Sequence, residues 1–219
     1  IGRLSVGFTG STTYALLPSV ATALREALPG VELELHGELI TPAQVEGLLE
    51  GRLDLGLLRP PVRAHELTVE VIRSEPLVAV LPSTHRLAEA DAVAVADLAE
   101  EPFVAYAPHL RSVLLGAVEE ACAAHGFQPR VAMPVTETST LVSFVAAGVG
   151  VSLVPASVGG MTVAGAVYRP LADDTTRVQI ALAWRSDDQS SVLERALRIV
   201  HSAVMRRPAD HFISHKSRL

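Results

Sequence analysis

The sequence predicts an α/β fold on a parallel sheet. Apolar strands and amphipathic helices alternate over residues 4–59, glycines and hydroxyl residues mark the strand-to-helix turns, and the third strand ends on an arginine. Leu4, Val6 and Phe8 alternate as the first strand. Gly7 and Gly10 flank the turn that follows, and Ser11, Thr12 and Thr13 head a helix whose free N–H groups, joined by hydroxyls, favour an anion. Leu16, Leu17, Val20, Leu24 and Leu28 form its apolar stripe, with Pro18 expected to bend or interrupt the first turns. Val31, Leu33 and Leu35 make the second strand. Thr41 then reads as a helix cap, with Pro42 at the first helical position and Gln44 placed to close a capping box. Val45, Leu48 and Leu49 give that helix its apolar face, Gly51 ends it, and Leu53, Leu55 and Leu57 pattern the third strand. Arg59 therefore arrives at a strand's carboxyl end, where open α/β sheets bind ligands.

The rest of the chain repeats this order. Residues 77–82 are an apolar strand, and a turn at 82–86 opens a second lobe. A strand at 103–106 precedes a helix capped by Ser112, with Leu114, Leu115, Val118 and Cys122 facing inward until Gly126. After a strand at 131–135, Thr138 or Ser139 starts a helix containing Leu141, Val142 and Val145, and Gly148 and Gly150 lead into a strand at 151–154. Residues 178–184 form the last strand, and Ser191 with Glu194 makes a capping box for a final helix through Val204.

Composition narrows the function. The 219 residues are 49% hydrophobic and 19% charged, enough for a sizeable core in one large domain or two lobes. A net charge of −6 argues against a nucleic-acid surface, and no DNA-reading motif is present. The single cysteine, Cys122, permits no internal disulfide and fits a reducing compartment. There is no nucleophile elbow, since Ser152 sits inside an apparent strand, and GFTGS lacks the lysine of a P-loop. The histidines show no zinc spacing; His211 and His215 fall in a polar tail.

Four stretches, GFTGS at 7–11, LLP at 16–18, TPAQVEGLLEGRLDLGLLRPP at 41–61 and FVAAGVGVSLVPAS at 144–157, resemble in content and order the effector-binding region of LysR-type transcriptional regulators. The resemblance covers residues 2–204 and is strongest to the branch that controls aromatic-compound degradation in response to benzoate, muconate or related acids. It implies two Rossmann-like lobes joined by two crossover strands, a type 2 periplasmic-binding-protein-like fold. Lobe I would comprise residues 1–79 and 186–205, lobe II 80–185, with crossovers near 79–82 and 183–186 and a C-terminal tail at 206–219. An effector is then expected between the lobes, with the crossovers as a hinge.

Ser11, Thr41 and Arg59 match that branch's ligand-contacting pattern, and their neighbours Thr12 and Ile40 go with them. On topological grounds the helix starts of the second lobe add Arg111, Ser112 and Thr138. Local chemistry leaves a second reading open: Ser11, Thr41, Ser112 and Thr138 as ordinary caps, and Arg59 as a surface residue beside Pro60 and Pro61. YAPHLRS at 106–112 departs from the branch's pattern, which bears on the effector's identity. The resemblance implies no catalytic residue, cofactor or metal. The implied partners are a small carboxylate effector, a second copy in a homodimer and a homotetramer of the intact regulator. Promoter DNA would be reached only through an N-terminal winged helix-turn-helix outside this chain, in the cytoplasm and without a membrane. The alternative is a periplasmic solute-binding protein for a small anion.

Overall fold

A computed structural model describes residues 2–172 and 176–205; the expected tail at 206–219, with His211 and His215, lies outside the described residues. In chain order the elements are β1 (Gly2–Phe8), α1 (Gly10–Ala15), α2 (Leu17–Ala27), β2 (Val31–His36), α3 (Thr41–Leu49), β3 (Leu55–Leu58), β4 (Leu67–Pro82), β5 (Pro102–Tyr106), α4 (Val113–Ala124), β6 (Arg130–Val135), α5 (Thr138–Ala146), β7 (Ser152–Pro155), β8 (Ala166–Pro170), β9 (Arg177–Arg185) and α6 (Ser191–Met205). They form two compact units, one of residues 2–74 and 179–205, the other of 75–172 and 176–178. The chain passes between them within β4, at Ser74 and Glu75, and within β9, at Val178 and Gln179. The sequence reading set these passages a few residues further along the same strands.

In the first unit the sheet runs β2-β1-β3-β9-β4. β1 pairs in parallel with β2 and β3, with Val6 opposite both Leu35 and Leu55, as the strand–helix alternation requires. β9 closes antiparallel on β3, with Leu57 opposite Leu182. Pro18 separates α1 from α2 at Leu16, because its ring has no N–H for the preceding turn. Leu16, Val20, Leu24 and Leu28 are buried as the stripe requires, and each contributes about 1.5–3 kcal/mol relative to exposure. Arg195 of α6 donates to the carbonyl of Ala27 at the end of α2, 2.9 Å away.

Two helix starts differ from the sequence reading. α3 begins at Thr41 itself, after Ile40 in extended conformation, so Thr41 caps nothing and Gln44 closes no box. Its buried face is Thr41, Gln44 and Leu48 at helical spacing, while Leu49 is 45% exposed. Gly51, at φ +73°, ends the helix as expected. Arg185 donates to the last-turn carbonyl of Leu48 at 2.9 Å and, beyond the helix, to Leu53 O at 2.7 Å. At α6 the cap is Ser190, whose hydroxyl accepts from Leu193 N at 3.4 Å. Glu194 pairs with Arg198 along the helix instead of reaching back to Ser191.

The second unit has β5 and β6 paired in parallel, and β7 and β8 antiparallel to β4. β8 escaped the sequence reading because none of its residues is fully buried, and the first half of β4 because it carries Glu70, Arg73 and the exposed Val71. The core joins Phe103, Val104, Val118, Cys122, Leu141, Val142, Val145 and Leu153. Gly126, at φ +82°, stops α4. Glu75 is buried, its carboxylate accepting from the backbone N–H of Ser157 at 2.8 Å and from its hydroxyl at 3.0 Å.

Burial, and secondarily Glu119, pushes the Cys122 thiol from its ordinary 9.0 up to about 11. The folded state therefore holds the proton more tightly than the unfolded chain, a contribution complete below pH 9.0 and lost as pH rises toward 11. The urea midpoint is expected to fall across that window, and to fall less in Cys122→Ala. A thiol reagent at pH 8 should label the native protein negligibly; rapid native labelling would contradict this burial.

Candidate functional site

The first unit gathers its polar residues at the carboxyl ends of β1 and β3. The short, fully buried β3 delivers Arg59, which is 1% exposed and is no surface residue. Its guanidinium donates from Nε at 3.2 Å and Nη2 at 2.8 Å to the hydroxyl of Ser11, and from Nη1 at 3.1 Å to the carbonyl of Gln179. Ser11, also buried, follows β1 in α1, and its hydroxyl lies 3.3 Å from that of Thr9. With Arg59 supplying both of its acceptor bonds, the Ser11 O–H is left to donate.

Thr41 grips the backbone of Arg59. Its hydroxyl donates to Arg59 O at 2.9 Å and accepts from Arg59 N at 3.1 Å, so one side chain satisfies both polar groups of a buried residue just past a strand end. Ile40, half-buried, is the residue before α3, and its carbonyl accepts from Gln44 N at 3.1 Å. Thr12 is buried and donates to Thr9 O at 3.0 Å, within its own turn. Ser11, Thr41 and Arg59 are thus one hydrogen-bonded cluster, which Thr12 and Ile40 support from the adjoining turns.

In the second unit Thr138, buried, opens α5 after β6, with its hydroxyl 2.5 Å from the phenol of Tyr106 at the end of β5. Tyr106 escaped the sequence reading, although it carries the same signal as Arg59, a polar side chain where a parallel strand ends. Ser112 caps α4 by accepting from Leu114 N at 3.3 Å. Arg111 is exposed, in left-handed conformation at φ +51°. Among the described residues, no group of three or more His, Cys, Asp or Glu is placed to hold a metal ion, and no helix is long and apolar enough to cross a membrane. Ser152 lies within β7, buried.

A family model described as LysR substrate binding domain matches residues 1–204. The chain is 30% identical over 198 residues to the HTH-type transcriptional regulator AlsR of Bacillus subtilis, covering 90% of this chain and 65% of AlsR. It is 36% identical over 198 residues to the regulator CatR of Pseudomonas putida, covering 90% of this chain and 67% of CatR. Among solved structures, the effector-binding domain of BenM, a regulator of Acinetobacter baylyi, with its effector benzoate, matches at a TM-score of 0.82 and 27% identity, over 94% of this chain and 93% of that one. The likeness spans both units, so the fold is the two-lobed, periplasmic-binding-protein-like one.

The Thr41 grip is testable without a ligand. Thr41→Val keeps the shape but removes both bonds to a buried backbone, and is expected to destabilise the protein by about 1–3 kcal/mol in urea unfolding. A variant as stable as wild type would show that Thr41 contributes nothing beyond packing.

Proposed function

The chain belongs to the LysR substrate binding domain family, and on that premise we propose that its effector is a small organic acid whose carboxylate is gripped by Ser11 and Arg59, with Thr41 completing the site by holding the Arg59 backbone. The observation that carries this reading is the buried guanidinium of Arg59 at the strand ends, already bonded to a neutral hydroxyl and a carbonyl. A carboxylate can take two of its N–H groups in parallel, and an ionised acceptor strengthens those bonds relative to the neutral hydroxyl and carbonyl oxygens they replace. The Ser11 O–H adds a donor by turning from Thr9 to the carboxylate. An aromatic acid or its ring-opened muconate-like product fits the family likeness, and benzoate is the effector bound to BenM. With aromatic residues only 4% of the chain, stacking is a minor part of recognition.

The relatives matched are named transcriptional regulators, which does not favour a periplasmic solute-binding protein. The chain spans 65% of AlsR, so the remainder of an intact regulator would supply the winged helix-turn-helix that reads promoter DNA. In this reading the domain is a cytoplasmic sensor with no catalytic role, and Arg111, Ser112 and Thr138 are the second unit's candidates for contacting the effector.

Calorimetry with benzoate, cis,cis-muconate and aliphatic dicarboxylates tests the site. Arg59→Ala would leave buried acceptors unsatisfied and confound affinity with stability, so Arg59→Lys is the better probe, keeping charge while removing the fork. Arg59→Lys and Thr41→Val should each weaken a bound acid by about tenfold or more. A ligand whose affinity neither substitution changes would refute the cluster as its binding site.

We further propose a homodimer of this domain, within a homotetramer of the intact regulator, formed through helical surface of α2 on one copy and α4 on the other. Light scattering of the isolated domain is expected to give twice the monomer mass, with no sequence-selective shift of promoter DNA at low salt. A strict monomer at high concentration would defeat the assembly, and selective DNA binding the sensor-only role.

A further inference from the structure

Gln44 is fully buried, yet it belongs neither to a capping box nor to the Arg59 cluster. Its amide nitrogen donates to Leu39 O at 2.8 Å and to Leu57 O at 3.2 Å. Its amide oxygen has no hydrogen-bond partner among the described residues. Reversing the amide would turn an oxygen toward two carbonyl oxygens, so the orientation follows from the acceptors around it. The unsatisfied oxygen faces two glycines opposite one another in the parallel pair of β1 and β3, Gly7 and Gly56. A Cβ on Gly56 would come within 2.8 Å of it and one on Gly7 within 3.1 Å, distances at which the amide would have to move. The sheet is bare where the amide seats.

Each segment this side chain touches leads into one member of the effector cluster. Leu57 lies two residues before Arg59 on β3, and its carbonyl also accepts from Thr9 N at 3.1 Å, in the turn that leads to Ser11. Leu39 precedes Ile40 and Thr41, and its own N–H donates to Phe8 O at the end of β1 at 2.9 Å. Gly7 belongs to β1 itself. Thr41 and Gln44, three residues apart on one helix face, therefore hold β3 at two successive points, Arg59 by the hydroxyl and Leu57 by the amide.

We propose that Gln44 is a positioning residue: its amide, keyed onto the Gly7–Gly56 pair, fixes the start of α3 against the ends of β1 and β3 and so sets where Ser11, Thr41 and Arg59 stand. The inference rests on the reading of those three residues as the effector site, but it is tested on their geometry. Hydrogen exchange of the Arg59 Nε–H in the intact domain reports its bond to Ser11, with the Val104 amide in the core of the second unit as reference. Gln44→Leu deletes the donors, and Gly56→Ala displaces the amide without deleting it. Both are expected to speed Arg59 exchange by about tenfold while leaving Val104 unchanged. Gln44→Glu supplies a readout that a purely packing role would not move. At neutral pH its carboxylate faces two carbonyls, so Arg59 exchange relative to wild type should be fast, and should recover as pH falls and the acid regains a proton to donate. Unchanged Arg59 exchange in all three variants, or Val104 accelerating as much as Arg59, overturns the proposal. Benzoate titration separates the two readings: failure of every acid to bind wild type defeats the effector assignment alone, whereas unchanged Arg59 exchange defeats the positioning role whatever binds.

Discussion

A guanidinium with 1% exposure is the constraint on which the first unit's architecture turns. Removing such a charge from water costs several kcal/mol unless hydrogen bonds replace the lost solvent. Here the replacements come from three separate places: Ser11 after β1, Gln179 where β9 enters the unit, and Thr41 at the start of α3, which holds the backbone rather than the fork. Each ties a buried donor of Arg59 to a different element. The charge therefore fixes the ends of β1, β3 and β9 together, and a rigid polar cluster is the by-product of keeping an arginine inside. Pre-organisation of that kind is what lets an anion be recognised without first ordering the groups that hold it.

Much of this was legible in the sequence because periodicity is a local signal. The parallel order of the first three strands, the break at Pro18, the stops at Gly51 and Gly126 and the inward face of α4 all follow from spacing and from residues with one backbone preference. The gathering of Ser11, Thr41 and Arg59 was legible only as strand ends and helix starts plus a family likeness; that Arg59 is buried was not, since an arginine before two prolines looks like a surface turn. Thr41 and Gln44 were misread for one cause. A threonine followed by proline and, three positions on, glutamine has the composition of a capping box, but capping chemistry and strand-clamping chemistry use the same hydroxyl and the same amide. Which carbonyl they meet is decided by the neighbouring strand, which local sequence does not contain.

Tyr106 shows the same limit from the other side. In the second unit, as in the first, a hydroxyl-bearing helix start follows a parallel strand, and a polar residue ends the strand beside it: Thr138 with Tyr106 there, Ser11 with Arg59 here. The two clusters are built by one rule, since backbone N–H groups at a helix start and side chains at a strand end converge wherever a parallel strand turns into its crossover helix. They differ in charge. The first offers a permanent cation among hydroxyls, the second a neutral phenol and hydroxyl.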